Sequence, residues 1–131
     1  MKEYSTDNQS DVSNIIVNVV EEIKCWIQLN LDKKITVKSV SSRAGYSRWY
    51  FQRRFREITG TGLSDFILKT RLDDALNDIT MTCKSFVDIA EQHGFGSIHT
   101  FIRATRKFYH MTPSEIRERI AEKPDTVASG K

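Results

Sequence analysis

The sequence predicts an all-α fold of about seven helices, and three observations carry the prediction. Apolar residues recur at spacings of three and four along most of the 131 residues, the period of helices with one buried face. Ser or Thr stands at the start of most periodic stretches and Gly at the end of several, the residues that cap helices. The chain also repeats itself at a shift of 49 to 50 residues.

Ile15, Val19, Ile23, Trp26, Ile27 and Leu29 to Leu31 make the apolar stripe of a first helix of about four turns, ending near Asp32. Thr36 is placed to cap a short helix from Val37 to Ala44, whose inner side is Val37, Val40 and Ala44, and Gly45 supplies the positive φ that ends it. Ser47 then caps a helix from Arg48 to Thr59, with Phe51 and Phe55 on one side and Arg48, Trp49, Gln52, Arg53 and Arg56 around the other. Gly60 and Gly62 stop it. From Ser64 to about Ile79 the residues Phe66, Ile67, Leu68, Leu72, Ala75, Leu76 and Ile79 form a stripe wide enough for a linker helix gripped on two sides. Ser85 opens a short helix with Phe86, Ile89 and Ala90 that stops at Gly94, and Ser97 opens a longer one to about Tyr109. Thr112 and Pro113 start a last helix through Ile120, with proline where its missing N–H costs nothing. The segment 1–14 and the tail 121–131 are expected to be disordered, 15–62 and 81–120 to form two subdomains, and 63–80 to join them.

The repeat sets Val37, Val40, Gly45 and Tyr46 on Phe86, Ile89, Gly94 and Phe95. One residue further out of step, Phe51, Arg53, Arg56, Thr59 and Ser64 fall on Phe101, Arg103, Arg106, Tyr109 and Ser114. Both copies read short helix, glycine turn, longer basic helix. That is the helix-turn-helix order, in which the first helix braces the second so that its outer face can enter a major groove about 12 Å wide. Two such units in one chain are expected to place two reading helices about one DNA turn, roughly 34 Å, apart, so a monomer suffices and its site is asymmetric.

Charge points the same way. The stretch from Lys33 to Arg71 holds ten Lys and Arg against two acids, Glu57 and Asp65, on a chain whose net charge is only +3. Such a basic block is the footprint of a phosphate-rich partner.

The run from Ala44 to Phe55, AGYSRWYFQRRF, with Gly60 and Leu63 behind it, resembles the first unit of the AraC/XylS family. The resemblance continues through Arg71-Leu72, Ala75-Leu76, Ile89-Ala90, Gly94-Phe95 and Thr112-Pro113-Ser114-Glu115 with Arg117, and covers about Ile15 to Ile120. With no room expected for a further ligand-binding domain, the chain is similar to the small stand-alone MarA/SoxS/Rob-like type. The resemblance implies a transcription regulator in the cytoplasm that binds double-stranded promoter DNA as a monomer, activates by recruiting RNA polymerase, serves stress or antibiotic resistance, and needs no cofactor.

It also implies the contact residues. Base reading falls to Trp49, Gln52 and Arg53 in the first unit and to Ile98, His99, Ile102 and Arg103 in the second. Arginine can grip guanine O6 and N7 with two hydrogen bonds, glutamine can do the same for adenine, and apolar or aromatic groups can pack on thymine methyls. Ser47, Arg48, Arg54, Arg56, Thr100, Arg106 and Lys107 are expected on phosphates. The second unit departs from the family, with Ile98 and Ile102 where polar residues are usual, and weaker discrimination is expected there. Thr105 stands where the first copy has Phe55, and His110 where it has Gly60, so the second unit is expected to be looser.

Other classes fare worse. There is no phosphate loop or nucleophile motif, and His93, His99 and His110 lack the i, i+4 pairing of a helical metal site, so neither enzyme nor metal is expected. No apolar run approaches the roughly 18 residues of a membrane span, and the N-terminus is polar rather than signal-like. Cys25 and Cys83 are expected to be reduced and mostly buried. Asp73, Asp74 and Asp78 read as a solvated acidic face of the linker, with a polymerase-facing surface as the sharper alternative. A module that keeps the fold but binds a polymerase subunit or another regulator, rather than DNA, is the competing function.

Overall fold

The structure, a computed structural model, describes residues 2–130 and the side chains of residues 14–121. Among the described residues it is all helical: α1 (Lys2–Leu29), α2 (Val37–Ala44), α3 (Arg48–Thr59), α4 (Leu63–Met81), α5 (Phe86–Gln92), α6 (Ile98–Tyr109) and α7 (Pro113–Gly130). The helices α2, α3, α5 and α6 start and stop where their capping residues put them. α1 and α7 are assigned further out than their apolar spacing reaches. Apart from Asn14 and Ala121, the terminal segments expected to be disordered lie outside the described side chains.

The chain divides into two compact units, Met1–Ile67 and Leu68–Lys131, and α4 is the helix common to both. Unit 1 is built on Phe51 and Phe55 of α3, closed over by Ile16, Val20, Ile23 and Ile27 of α1, with Ile35, Val40, Leu63 and Ile67 completing the core. The rings of Phe55 and Phe66 meet edge-on at 5.4 Å. Burying each Phe is worth about 1.5–3 kcal/mol, so the two phenylalanines at i and i+4 are what fix α3 to the rest. The stripe of α1 is rotated from the one expected, since Ile16 and Val20 point inward while Ile15 stays exposed, as does Leu29.

Unit 2 repeats the plan with Leu72, Ala75 and Ile79 of α4, Ile89 and Ala90 of α5, Phe101 and Ala104 of α6, and Phe95 and Ile116. Thr105 takes the place of the second core phenylalanine. It is fully buried, and its hydroxyl donates to the carbonyl of Ile102 at 2.8 Å, which satisfies the only polar atom it brings inside. Phe108 and Tyr109 pack against this core from its edge. Arg117 of α7 ties the unit together, donating to the carbonyl of Ile79 at 2.9 Å while its guanidinium covers the Phe86 ring at 4.4 Å.

One further expectation fails. Cys25 and Cys83 are free thiols but exposed, because Cys25 lies on the outer side of α1 beside the inward Ile27, and Cys83 lies in the connection after α4. Asp73 and Asp74 lie on an exposed face of α4, as expected, and both they and Asp78 carry partners. Asp73 takes Lys69 at 3.0 Å, Asp74 takes His93 at 3.2 Å, and the largely covered Asp78 takes His93 at 2.8 Å and Lys84 at 3.3 Å.

Candidate nucleic-acid interface

Each unit holds its second helix by the same hydrogen bonds. In unit 1 the end of α2 is closed by Gly45 N–H to Ser41 and Ser42 carbonyls and by Tyr46 N–H to the Ser41 carbonyl at 3.1 Å. In unit 2 the same closure runs from Phe95 N–H to the Ala90 carbonyl at 2.9 Å. Ser47 then accepts from Tyr50 N–H at 3.2 Å, and Ser97 accepts from Thr100 N–H at 3.2 Å, starting α3 and α6. The repeat in sequence is thus a repeat of caps, and the caps set the turn between the two helices.

With Phe51 and Phe55 directed into the core, the four-residue spacing leaves Trp49, Arg53 and Glu57 in a row on the outer side of α3. Trp49 is 68% exposed, which a core aromatic would not be. The Arg53 guanidinium lies 5.1 Å from its ring. Trp49, Gln52, Arg53 and Arg56 line a shallow hollow of about 320 Å³ with Gly62 and Leu63, so the three base-reading candidates of α3 share one surface with a phosphate candidate. Arg48 is exposed and Arg54 half-buried. The Ser47 oxygen is engaged as the cap of α3, leaving its hydroxyl hydrogen as a donor.

On α6, His99 and Arg103 are exposed opposite Phe101, Ala104 and Thr105, while Ile98 and Ile102 are half-buried at the edge of the core side. Thr100 pairs its hydroxyl with that of Ser97 at 3.1 Å. Arg106 and Lys107 are exposed in the last turn, and Lys107 rests near the Phe108 ring at 5.5 Å. The outer side of α6 therefore presents His99, Arg103, Arg106 and Lys107 with the two isoleucines at its edge, where that of α3 is polar and aromatic.

The residue that the sequence reading missed is Glu57. Its carboxylate accepts from Arg54 Nη1 at 2.7 Å and from Arg53 Nε at 3.4 Å. The Arg54 hydrogen bond above all holds its carboxyl below the usual value of 4.5. An acid four residues after an arginine is the visible signal for such a pair.

Among the described residues, no helix is long and apolar enough to cross a membrane, and no group of His, Cys, Asp and Glu could hold a metal ion.

Residues 40–119 match the family model described as "Helix-turn-helix domain". The chain is 35% identical over 99 residues to the transposon Tn10 TetD protein of Escherichia coli, covering 76% of this chain and 72% of that one. It is 34% identical over 102 residues to the regulatory protein SoxS of Escherichia coli, covering 78% and 95%. Other curated relatives are longer, and the chain spans 34% of their length. Among solved structures it resembles an AraC-type regulator from Chromobacterium violaceum, with a TM-score of 0.70 at 28% identity over 79% of this chain and 93% of that one. It also resembles the DNA-binding domain of AdpA in complex with a target DNA, with a TM-score of 0.73 at 25% identity over 80% and 96%. A fold of two capped, basic helix-turn-helix units, matched in family, relatives and structure, places this chain in the AraC/XylS family of DNA-binding transcription regulators, which are not enzymes.

Proposed function

We propose that the protein binds promoter DNA as a monomer and activates transcription by recruiting RNA polymerase, as the resemblance to the small stand-alone regulators implies, in a stress or antibiotic-resistance response. In this reading 15–62 and 81–120 are the two DNA-binding subdomains and 63–80 is the linker. The observation that carries it is the hollow formed by Trp49, Gln52, Arg53 and Arg56 on the outer side of α3, because it sets a guanine fork, an adenine fork and a phosphate donor side by side.

α3 reads bases through Trp49, Gln52 and Arg53, and α6 through Ile98, His99, Ile102 and Arg103. The partly exposed Ile98 and Ile102 suit thymine methyl groups, with Arg103 supplying the hydrogen-bonding fork. Ser47, Arg48, Arg54, Arg56, Thr100, Arg106 and Lys107 hold phosphates, which makes binding strongly dependent on salt. The likeness to a domain solved with its target DNA supports this assignment of helices.

The test is selection of bound duplexes from a random library, in parallel with the wild-type chain and Arg53→Ala at stated salt. A long asymmetric motif of two blocks is expected, with the variant relaxed at one guanine at a cost of about 1–3 kcal/mol. If no motif emerges and binding is weak at every salt concentration, the protein is an interaction module with the same fold.

A further inference from the structure

The array Trp49, Arg53, Glu57 on α3 carries an inference about how this helix discriminates, and it rests on the reading of α3 as a base-reading helix. One carboxylate serves two arginines. Glu57 Oε2 takes Arg53 at Nε and Oε1 takes Arg54 at Nη1, while the Trp49 ring flanks the Arg53 guanidinium from the preceding turn. An arginine held at Nε keeps both terminal Nη groups as its forward pair. Those two groups are the donors that span O6 and N7 of guanine in an end-on contact.

The two kinds of complex with DNA then treat Glu57 differently. When Arg53 meets a guanine end-on, its Nε bond to Glu57 stays in place. On unrelated DNA Arg53 gains most from a phosphate, and reaching it requires Arg53 to leave the carboxylate. The negative charge of Glu57 also stands against the phosphate backbone on either side. The second unit has none of this, because the position matching Glu57 is Lys107 and the one matching Arg54 is Ala104.

We propose that Glu57 is a positioning and specificity-determining residue, which aims the Arg53 fork at guanine and holds Arg53 back from phosphates on non-target sequences.

The experiment compares the full chain with Glu57→Gln and with Glu57→Lys, which copies the second unit. Affinity is measured by fluorescence anisotropy for the selected site and for a random duplex of equal length, over a salt series. Glu57→Gln is expected to bind the random duplex about three- to tenfold tighter, with a log–log salt slope steeper by about one, because the freed Arg53 displaces about one more counterion. The selected site is expected to gain nothing, so the ratio of the two affinities falls, and Glu57→Lys moves further in the same direction. The denaturation midpoint serves as a control and should hardly move, since an exposed helical ion pair adds little stability. Equal tightening on both duplexes overturns the proposal, because it means Glu57 acts only as one charge among many. Loss of preference at a single base pair with unchanged affinity for the random duplex also overturns it, since Glu57 is then itself a base reader. If the wild-type chain selects no motif, the α3 reading falls and this proposal with it, an outcome distinct from the other two.

Discussion

The Arg71 guanidinium lies across Gly94, donating from Nη1 to the carbonyl of the neighbouring His93 at 3.1 Å. Gly94 has a φ of +80°, and a Cβ there would sit 2.9 Å from the Arg71 Cζ. Two independent facts therefore require glycine, a left-handed backbone and a buried arginine in the space of the missing side chain. Gly94→Ala is expected to destabilise unit 2 by about 2–4 kcal/mol, the sum of backbone strain and a disturbed charged hydrogen bond. Gly60→Ala, where φ is +81° but nothing lies within 4 Å of the added carbon, should cost only the strain, about 1–2 kcal/mol. Urea denaturation of both variants checks this, and equal losses would mean that Arg71 simply moves aside.

His110 closes α6 with a φ of 62°, the position that Gly60 fills at the end of α3. Its N–H still reaches the Arg106 carbonyl at 3.0 Å, so the cap is formed but on a residue that pays a steric cost for its Cβ. His110→Gly is expected to stabilise unit 2 by about 1 kcal/mol. Thermal unfolding would show a rise for this variant, and an unchanged midpoint would mean that His110 adopts the left-handed conformation without cost.

Asp78 makes the stability of unit 2 sensitive to acid. Its hydrogen bond with His93, followed by that with Lys84, holds its carboxyl below the usual value of 3.8. A group whose folded pKa is depressed contributes stability that is fully present above the unfolded pKa and is lost as pH falls through the folded value. Unfolding midpoints are therefore expected to hold down to about pH 4 and fall below it. Asp78→Asn should be less stable than the wild type at pH 7 and show a shallower fall between pH 4 and pH 2. Parallel curves for the two proteins would exclude this carboxylate as a source of the acid sensitivity.

If Ile98 and Ile102 pack on thymine methyls, replacing those thymines by uracil removes the methyl and nothing else. Each substitution in the second block of the selected site should weaken binding about fourfold, the value of roughly 0.8 kcal/mol for one buried methyl-sized group. Uracil in place of thymines outside the two blocks should have no effect. A second block indifferent to uracil would leave α6 as a clamp on phosphates.

The caps were legible in the sequence because capping is local. Thr36, Gly45, Ser47, Gly60, Ser85 and Ser97 act on backbone groups within a few residues of themselves, so their order alone placed α2, α3, α5 and α6 and revealed the repeat. The outward position of Trp49, Gln52 and Arg53 followed from the inward position of Phe51 and Phe55, again a matter of helical period. What the period could not decide was which of two adjacent apolar residues turns inward. In the pairs Ile15 and Ile16, and Val19 and Val20, only the packing of α1 on α3 selects the second member of each. Nor could it tell that Asp74 and Asp78 meet His93, or that Arg71 fills the space beside Gly94, since these join residues 15 to 23 positions apart. The sequence by itself determined the helices and their outer faces, through interactions that end within one or two turns. The tertiary structure decided the core register and the charge network, because burial and ion pairing depend on partners that only folding brings together.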